Sequence, residues 1–180
     1  GRLTNEKSEL DLNSNETIAA LEYAKELYQT FVPGTLSWLD PSNNKAFLAG
    51  EISLTMNGIS IYYTAKTSPD SNLKAMVPDI QHAAFPIGPI GKQVHGALMF
   101  PGAIYKYCKY PNAAKEYLRF IMEREQYEPW QRASIGYISH TLRAYDSNPV
   151  WTDDPQHMFF RDIARGARHV SSAPASGGSR

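Results

Sequence analysis

Asn43-Asn44-Lys45-Ala46-Phe47-Leu48-Ala49-Gly50-Glu51-Ile52-Ser53-Leu54-Thr55-Met56-Asn57-Gly58 is the stretch on which the reading of the fold turns. It begins as a short helical turn. Gly50 can take the left-handed conformation that ends such a turn without a Cβ penalty. Ile52, Leu54 and Met56 then alternate with polar residues, the period-2 pattern of a half-buried strand. Asn57-Gly58 closes it, and Gly58 lets backbone approach a neighbour closely. In open α/β sheets ligands gather beyond the carboxyl ends of strands, so Asn57 and Gly58 are candidate ligand contacts.

Upstream, Asn13 with Glu16 offers a capping pair. Ala20, Leu21, Ala24, Leu27, Tyr28 and Phe31 follow as one apolar stripe, which predicts a helix from Glu16 to Phe31. Pro33-Gly34 ends it. Thr35 to Ser42 reads as a loop carrying Trp38 and Asp40. Downstream, Ser60 to Ser68 reads as a short helix packed by Ile61, Tyr62 and Tyr63. Pro69 to Lys92 is punctuated by prolines and glycines and reads as extended loop, with a short strand near Ala83 to Phe85. Val94 to Ile104 reads as strand, carried by Val94 to Phe100 and broken at Pro101-Gly102. Pro111 opens a helix with Ala114, Tyr117, Leu118, Ile121 and Met122 on one face. A second, from about Gln126 to Ala133, begins near Pro129 and stops by Gly136. Asp154-Pro155 is an N-cap followed by proline at the first helical position. That last helix runs to about Arg168. Ser171 to Arg180 has linker composition.

Composition narrows the function classes. The 180 residues balance 18 basic against 18 acidic side chains, which removes the electrostatic case for nucleic acid. A mean hydropathy of −0.42 and 42% hydrophobic residues fit a soluble globular chain with a real core. No apolar run is long enough to span a bilayer. No signal peptide is visible at Gly1, and a secreted protein would already have lost one. Cys108 is alone, which rules out an internal disulfide and reads as a buried structural thiol.

Three blocks resemble family 1 bacterial extracellular solute-binding proteins, the family that feeds ABC importers, and they occur in the family's order. They are Ser14 to Tyr28, then Ala46 to Gly58, then Gly91 to Ala97 leading into Tyr110 to Ile121. A further match is Gly136-Tyr137-Ile138-Ser139 followed by Pro149 to Pro155. The resemblance implies an α/β, periplasmic-binding-protein-like fold of which this chain holds most of one lobe plus an excursion into the second. Residues 1–97 would be the main part of the C-terminal-type lobe, and 98–138 a hinge strand and helical excursion. Residues 139–170 would return to the first lobe, and 171–180 would form a flexible tail. It also implies unpaired strand edges that a partner chain, the missing half of the same protein, would cover.

The function implied is non-enzymatic. A small solute is captured between lobes, and closure is coupled to binding. An ABC permease is the membrane partner, with the protein periplasmic or lipid-tethered outside the cell. Neutral charge and 12% aromatic residues favour a sugar or polyol. The competing classes are a carbohydrate hydrolase using Asp40 or Asp153, and an inactive fragment. No cofactor or metal is called for: His140, His157, Asp153 and Asp154 lack a compact zinc spacing.

The candidate ligand residues are Trp38, Asp40, Asn57, Gly58, His95, Gly96 and Tyr137. Trp38 reads equally as a stacking platform for a sugar ring or a cap on the core. Asp40 beside it can accept hydroxyl hydrogens. His95-Gly96 stands where the family has a small residue and glycine at the cleft floor. Tyr137 sits at the second hinge crossing. Tyr62 and Tyr63 read as helix packing.

Overall fold

The computed structural model describes residues 4, 5, 7, 9–89, 91, 92, 102–140 and 142–166, with side chains through 163. They fall into two compact units, the first within Gly1–Thr55 and the second within Met56–His169.

Among the described residues every regular element is helical. β pairing is confined to one isolated antiparallel bridge between Thr4 and Leu10. This overturns the expected α/β, periplasmic-binding-protein-like lobe. The stretch Glu51 to Asn57 forms no strand. Its alternation is real, but a strand exists only against a neighbouring backbone that completes its ladder. Here Leu54 is 89% and Met56 76% exposed, and only Ile52 of the pattern's apolar face is half-buried. Ala83 to Phe85 likewise forms no strand. The expected strand Val94 to Phe100 lies outside the described residues.

In the first unit, α1 spans Asn15–Tyr28. Its cap is Ser14, not Asn13. The Ser14 hydroxyl accepts from Thr17 N–H at 3.2 Å, and it is the residue directly before the first helical one that has this reach. The helix ends at Tyr28, about one turn before the expected Phe31, because Gln29, Thr30 and Phe31 leave it through i→i−3 bonds. The stripe is at helical spacing, yet α1 buries none of its residues. α2 spans Ser42–Leu48 and buries Ala46. It ends as the sequence predicts: Gly50 takes φ 75°, Gly50 N–H bonds Phe47 O at 3.0 Å, and Glu51 N–H bonds Ala46 O at 2.9 Å. This pair of bonds satisfies carbonyls that the helix end would leave open. Asn43 Nδ2 donates to Thr55 Oγ1 at 3.3 Å and ties the extended stretch back to α2.

The second unit holds α3 (Ser60–Thr67), α4 (Ser71–Met76), α5 (Pro111–Ile121), α6 (Arg124–Ala133), α7 (Pro149–Thr152) and α8 (Pro155–Gly166). Elements close in sequence pack together: α3 on α4, α5 on α6, α6 on α7, and α7 on α8. α4 stands inside a stretch expected to be loop. Asp70 caps it by accepting from Asn72 N–H at 2.8 Å, and Pro78 falls in the 3₁₀ turn that follows rather than in the helix. α6 starts before Pro129, which lies within it. α5 opens on Pro111 as expected, but none of its apolar face is buried. Cys108, expected to be buried, is half-buried.

The core of this unit mixes aliphatic, aromatic and polar side chains. Ile59, Ile61, Tyr62, Ala65, Ile80, Tyr127, Tyr145 and Trp151 are buried, together with Gln131, His140, Asn148 and His157. The polar members are partly tied in: Gln131 Nε2, His140 Nδ1 and His157 Nε2 are buried with no partner among the described residues. Asn148 Nδ2 donates to Gln131 Oε1 at 3.2 Å, while its own side-chain oxygen caps α7 by accepting from Val150 N–H at 3.1 Å. The Tyr145 hydroxyl donates to Met122 O.

Candidate functional site

α3 divides its residues by face. Ile61, Tyr62 and Ala65 point into the core, so Tyr63, half-buried, and Thr64, exposed, take the outer side. α6 divides in the same way. Tyr127 and Gln131, one turn apart, are buried, and Trp130 is left 45% exposed. Beyond α6 the chain turns through two consecutive left-handed residues, Ile135 at φ 51° and Gly136 at φ 62°. The turn is held by Gly136 N–H to Gln131 O at 2.9 Å and Tyr137 N–H to Ser134 O at 3.0 Å. It delivers Tyr137 onto Tyr63, with ring centroids 4.9 Å apart and planes at 78°.

The result is an open depression of about 430 Å³ lined by Tyr63, Thr64, Trp130, Ser134, Tyr137 and Ile138. The Thr64 hydroxyl donates to Ser60 O at 2.8 Å and the Ser134 hydroxyl to Gln131 O at 3.2 Å. Each oxygen keeps lone pairs to accept from a solute.

A second cluster lies where α3 meets the start of α8. Asp154 Oδ2 accepts from Tyr62 OH at 2.6 Å and from Lys66 Nζ, while Oδ1 accepts from Gln156 N–H at 3.0 Å. Burial alone would raise the Asp154 carboxyl. The bonds from Lys66, Tyr62 and Gln156 outweigh it and hold the carboxyl at about 2. Burial, followed by the bond to Asp154, pushes the Tyr62 phenol up. His157 stacks edge-on to Tyr62 at 5.6 Å and donates from Nδ1 to Val150 O at 3.0 Å. Burial pushes its imidazole down, and likewise that of His82, which meets Gln156 Oε1 at 2.9 Å. This cluster clamps a helix end. Asp154 caps α8 as the sequence predicts, and His157 sits in that helix's first turn.

Of the residues singled out from sequence, Tyr137 lines the depression. Trp38, half-buried, and Asp40, exposed, belong to the first unit. Asn57 and Gly58 belong to the second and are exposed, with Asn57 Nδ2 donating to Ser60 Oγ at 3.0 Å. Gly58 makes no close approach, since a Cβ there would meet nothing within 4 Å. His95 and Gly96 lie outside the described residues. Tyr63, Trp130, Thr64 and Ser134 were missed. A signal existed for Tyr63: it stands about 200° around the helix from both Ile61 and Ala65, so it falls off the face that those two share.

A family model described as bacterial extracellular solute-binding protein matches residues 2–159. No curated protein and no solved structure matches the chain.

Proposed function

We propose that this chain, which belongs to the bacterial extracellular solute-binding protein family, captures a sugar or polyol for an ABC importer. Family membership is the observation that carries the role, because the match spans residues 2–159. Members bind small solutes, hand them to a membrane permease, and work in the periplasm or outside the cell. They bind rather than turn over what they capture.

The finer reading rests on chemistry. The chain has no net charge to favour an ionic solute. The depression in the second unit offers aromatic rings and hydroxyl oxygens. Tyr137 is the ligand contact placed best by this reading. Trp38, Asp40, Asn57, Gly58, His95 and Gly96 remain proposed contacts on the family resemblance alone.

A ligand that binds only the folded state raises its stability by RT ln(1 + [L]/Kd), about 2.7 kcal/mol at a hundredfold excess over Kd. Thermal unfolding followed with sugars, polyols, amino acids and polyamines tests the reading. A rise in melting temperature with a sugar or polyol is the expected result. A rise only with amino acids or polyamines overturns the solute class. Turnover of a sugar by the purified protein overturns the binding role.

A further inference from the structure

We propose that the segment from Tyr105 to Phe120 is a docking face for an anionic phospholipid surface, on which the protein rests through tyrosine rings and lysine side chains. The inference goes beyond solute capture and holds whatever the solute is.

Sequence sets up the face. Tyr105-Lys106-Tyr107-Cys108-Lys109-Tyr110 interleaves phenols with ammonium groups and runs straight into α5. Within α5, Ala114, Tyr117, Leu118 and Ile121 fall on one side at helical spacing. Lys115 and Arg119, one turn apart, fall on the other.

Packing leaves the face uncovered. Tyr105, Tyr107 and Tyr110 are 67%, 80% and 74% exposed, and Tyr117 is 64% exposed. α5 buries none of its residues, although it packs on α6. The rings are held locally all the same. Cys108 N–H bonds Tyr105 O at 3.0 Å, and Tyr105 stacks on Tyr107 with centroids 5.1 Å apart and planes at 11°. The start of the loop lies against α5, since a Cβ on Gly102 would stand 3.3 Å from Leu118 Cδ2. Contiguous exposed ring surface of this kind marks a protein or membrane contact, unlike single scattered apolar residues.

Charge says what the contact carries. The segment has Lys106, Lys109, Lys115 and Arg119 against one carboxylate, Glu116. In a chain of 18 basic and 18 acidic residues, that net +3 leaves the remainder at −3. Glu116 is spent on Arg119. The ion pairs among the described residues include none with Lys106, Lys109 or Lys115. A surface of phosphate esters supplies the missing counter-charge.

Composition separates a bilayer from a protein partner. Protein interfaces are depleted in lysine. Tyrosine beside lysine suits the bilayer interface instead, where the ring and the aliphatic stem sit low and the phenol and ammonium reach the headgroups. A helix with one apolar side and a cationic flank lies flat in that zone.

Sedimentation of the full chain with sucrose-loaded vesicles tests this. Vesicles of phosphatidylcholine alone are compared with vesicles of phosphatidylglycerol and phosphatidylcholine in equal parts. Binding to the anionic vesicles and none to the neutral ones is expected, with a loss of about tenfold or more between about 0.1 M and about 0.5 M salt. Lys106→Gln combined with Lys109→Gln should weaken binding about tenfold or more. Tyr105→Ala combined with Tyr107→Ala should weaken it about fivefold or more. Lys25→Gln combined with Lys74→Gln makes the same change of net charge at exposed sites outside the segment, and should leave binding nearly unchanged. All six sites are exposed, and circular dichroism confirms that the variants are folded. Equal losses from the two lysine pairs, or equal binding to neutral vesicles, overturns the proposal. Absence of vesicle binding overturns it as well. Self-association in analytical ultracentrifugation that the tyrosine pair abolishes would then assign the face to a second copy, and retention on poly-glutamate would assign it to an acidic protein.

Discussion

The indole of Trp151 lies so close to Gly136 that a methyl group on that glycine would stand 3.0 Å from Cζ3 and 3.1 Å from Cη2. Trp151 is fully buried, so the ring has little room to retreat. Gly136 also holds φ 62°, where an L side chain is disfavoured.

Gly136→Ala should therefore destabilise the protein by about 2 kcal/mol, combining left-handed strain with the overlap. Gly58→Ala is the matched control. Its added Cβ meets nothing, so the change should be near zero or slightly stabilising. Urea unfolding of both variants checks this, and equal effects would show that Trp151 gives way.

Asp154→Asn should weaken the clamp between α3 and α8. It removes the negative charge that accepts from Lys66 and Tyr62, at a cost of about 1–3 kcal/mol. The pH dependence has a definite sign. The folded carboxyl is held at about 2 against an ordinary 3.8, so the unfolded chain binds more protons between those values. Its stabilisation is complete above about pH 4 and drains as pH falls toward 2. Acid unfolding of wild type should show that slope, and Asp154→Asn should flatten it.

The imidazoles of His157 and His82 should titrate below the ordinary 6.5. Burial drives both shifts. For His157, Val150 O and Asp154 oppose it, while Lys66 and His82 add to it. Unfolding releases both rings to their usual value. Stability is then lost as pH falls below 6.5 toward the depressed folded values. Ring-proton NMR titration reads both midpoints directly, and a His157 midpoint above 6.5 would contradict the burial argument.

Ser14→Ala should shorten α1 and cost about 1 kcal/mol, the usual loss for an N-cap hydroxyl. Asn13→Ala should cost far less. Amide exchange at Thr17 distinguishes them, because only the first variant removes the acceptor of that N–H.

Helices were legible wherever the signal is local. The stripe of α1, the glycine stop of α2 and the Asp154-Pro155 start of α8 each rest on residues within a few positions of one another. The strand at Glu51 to Asn57 was not legible in the same way. Alternation states which faces would be used if a partner strand were present, and no such partner stands among the described residues. α4 was hidden because Pro69 and Pro78 flank it and read as loop, although prolines outside a helix leave it intact. At the depression, Tyr137 had been singled out from sequence, and Tyr63 and Trp130 had not. The wall they form joins α3 to the segment after α6, and spacing along the chain carries no record of that meeting.

The bond from Tyr62 to Asp154 spans 92 positions of sequence. A closure that long is a slow kinetic step, since the intervening chain must be gathered before the contact returns anything. Chains also emerge from the ribosome amino end first. While the segment carrying Asp154 is still being made, Tyr62 and Lys66 have no acceptor there, and α3 waits with its inward face open. Biosynthesis thus leaves α3 without this latch until the segment carrying Asp154 has been delivered, an interval in which that surface is open to chaperones.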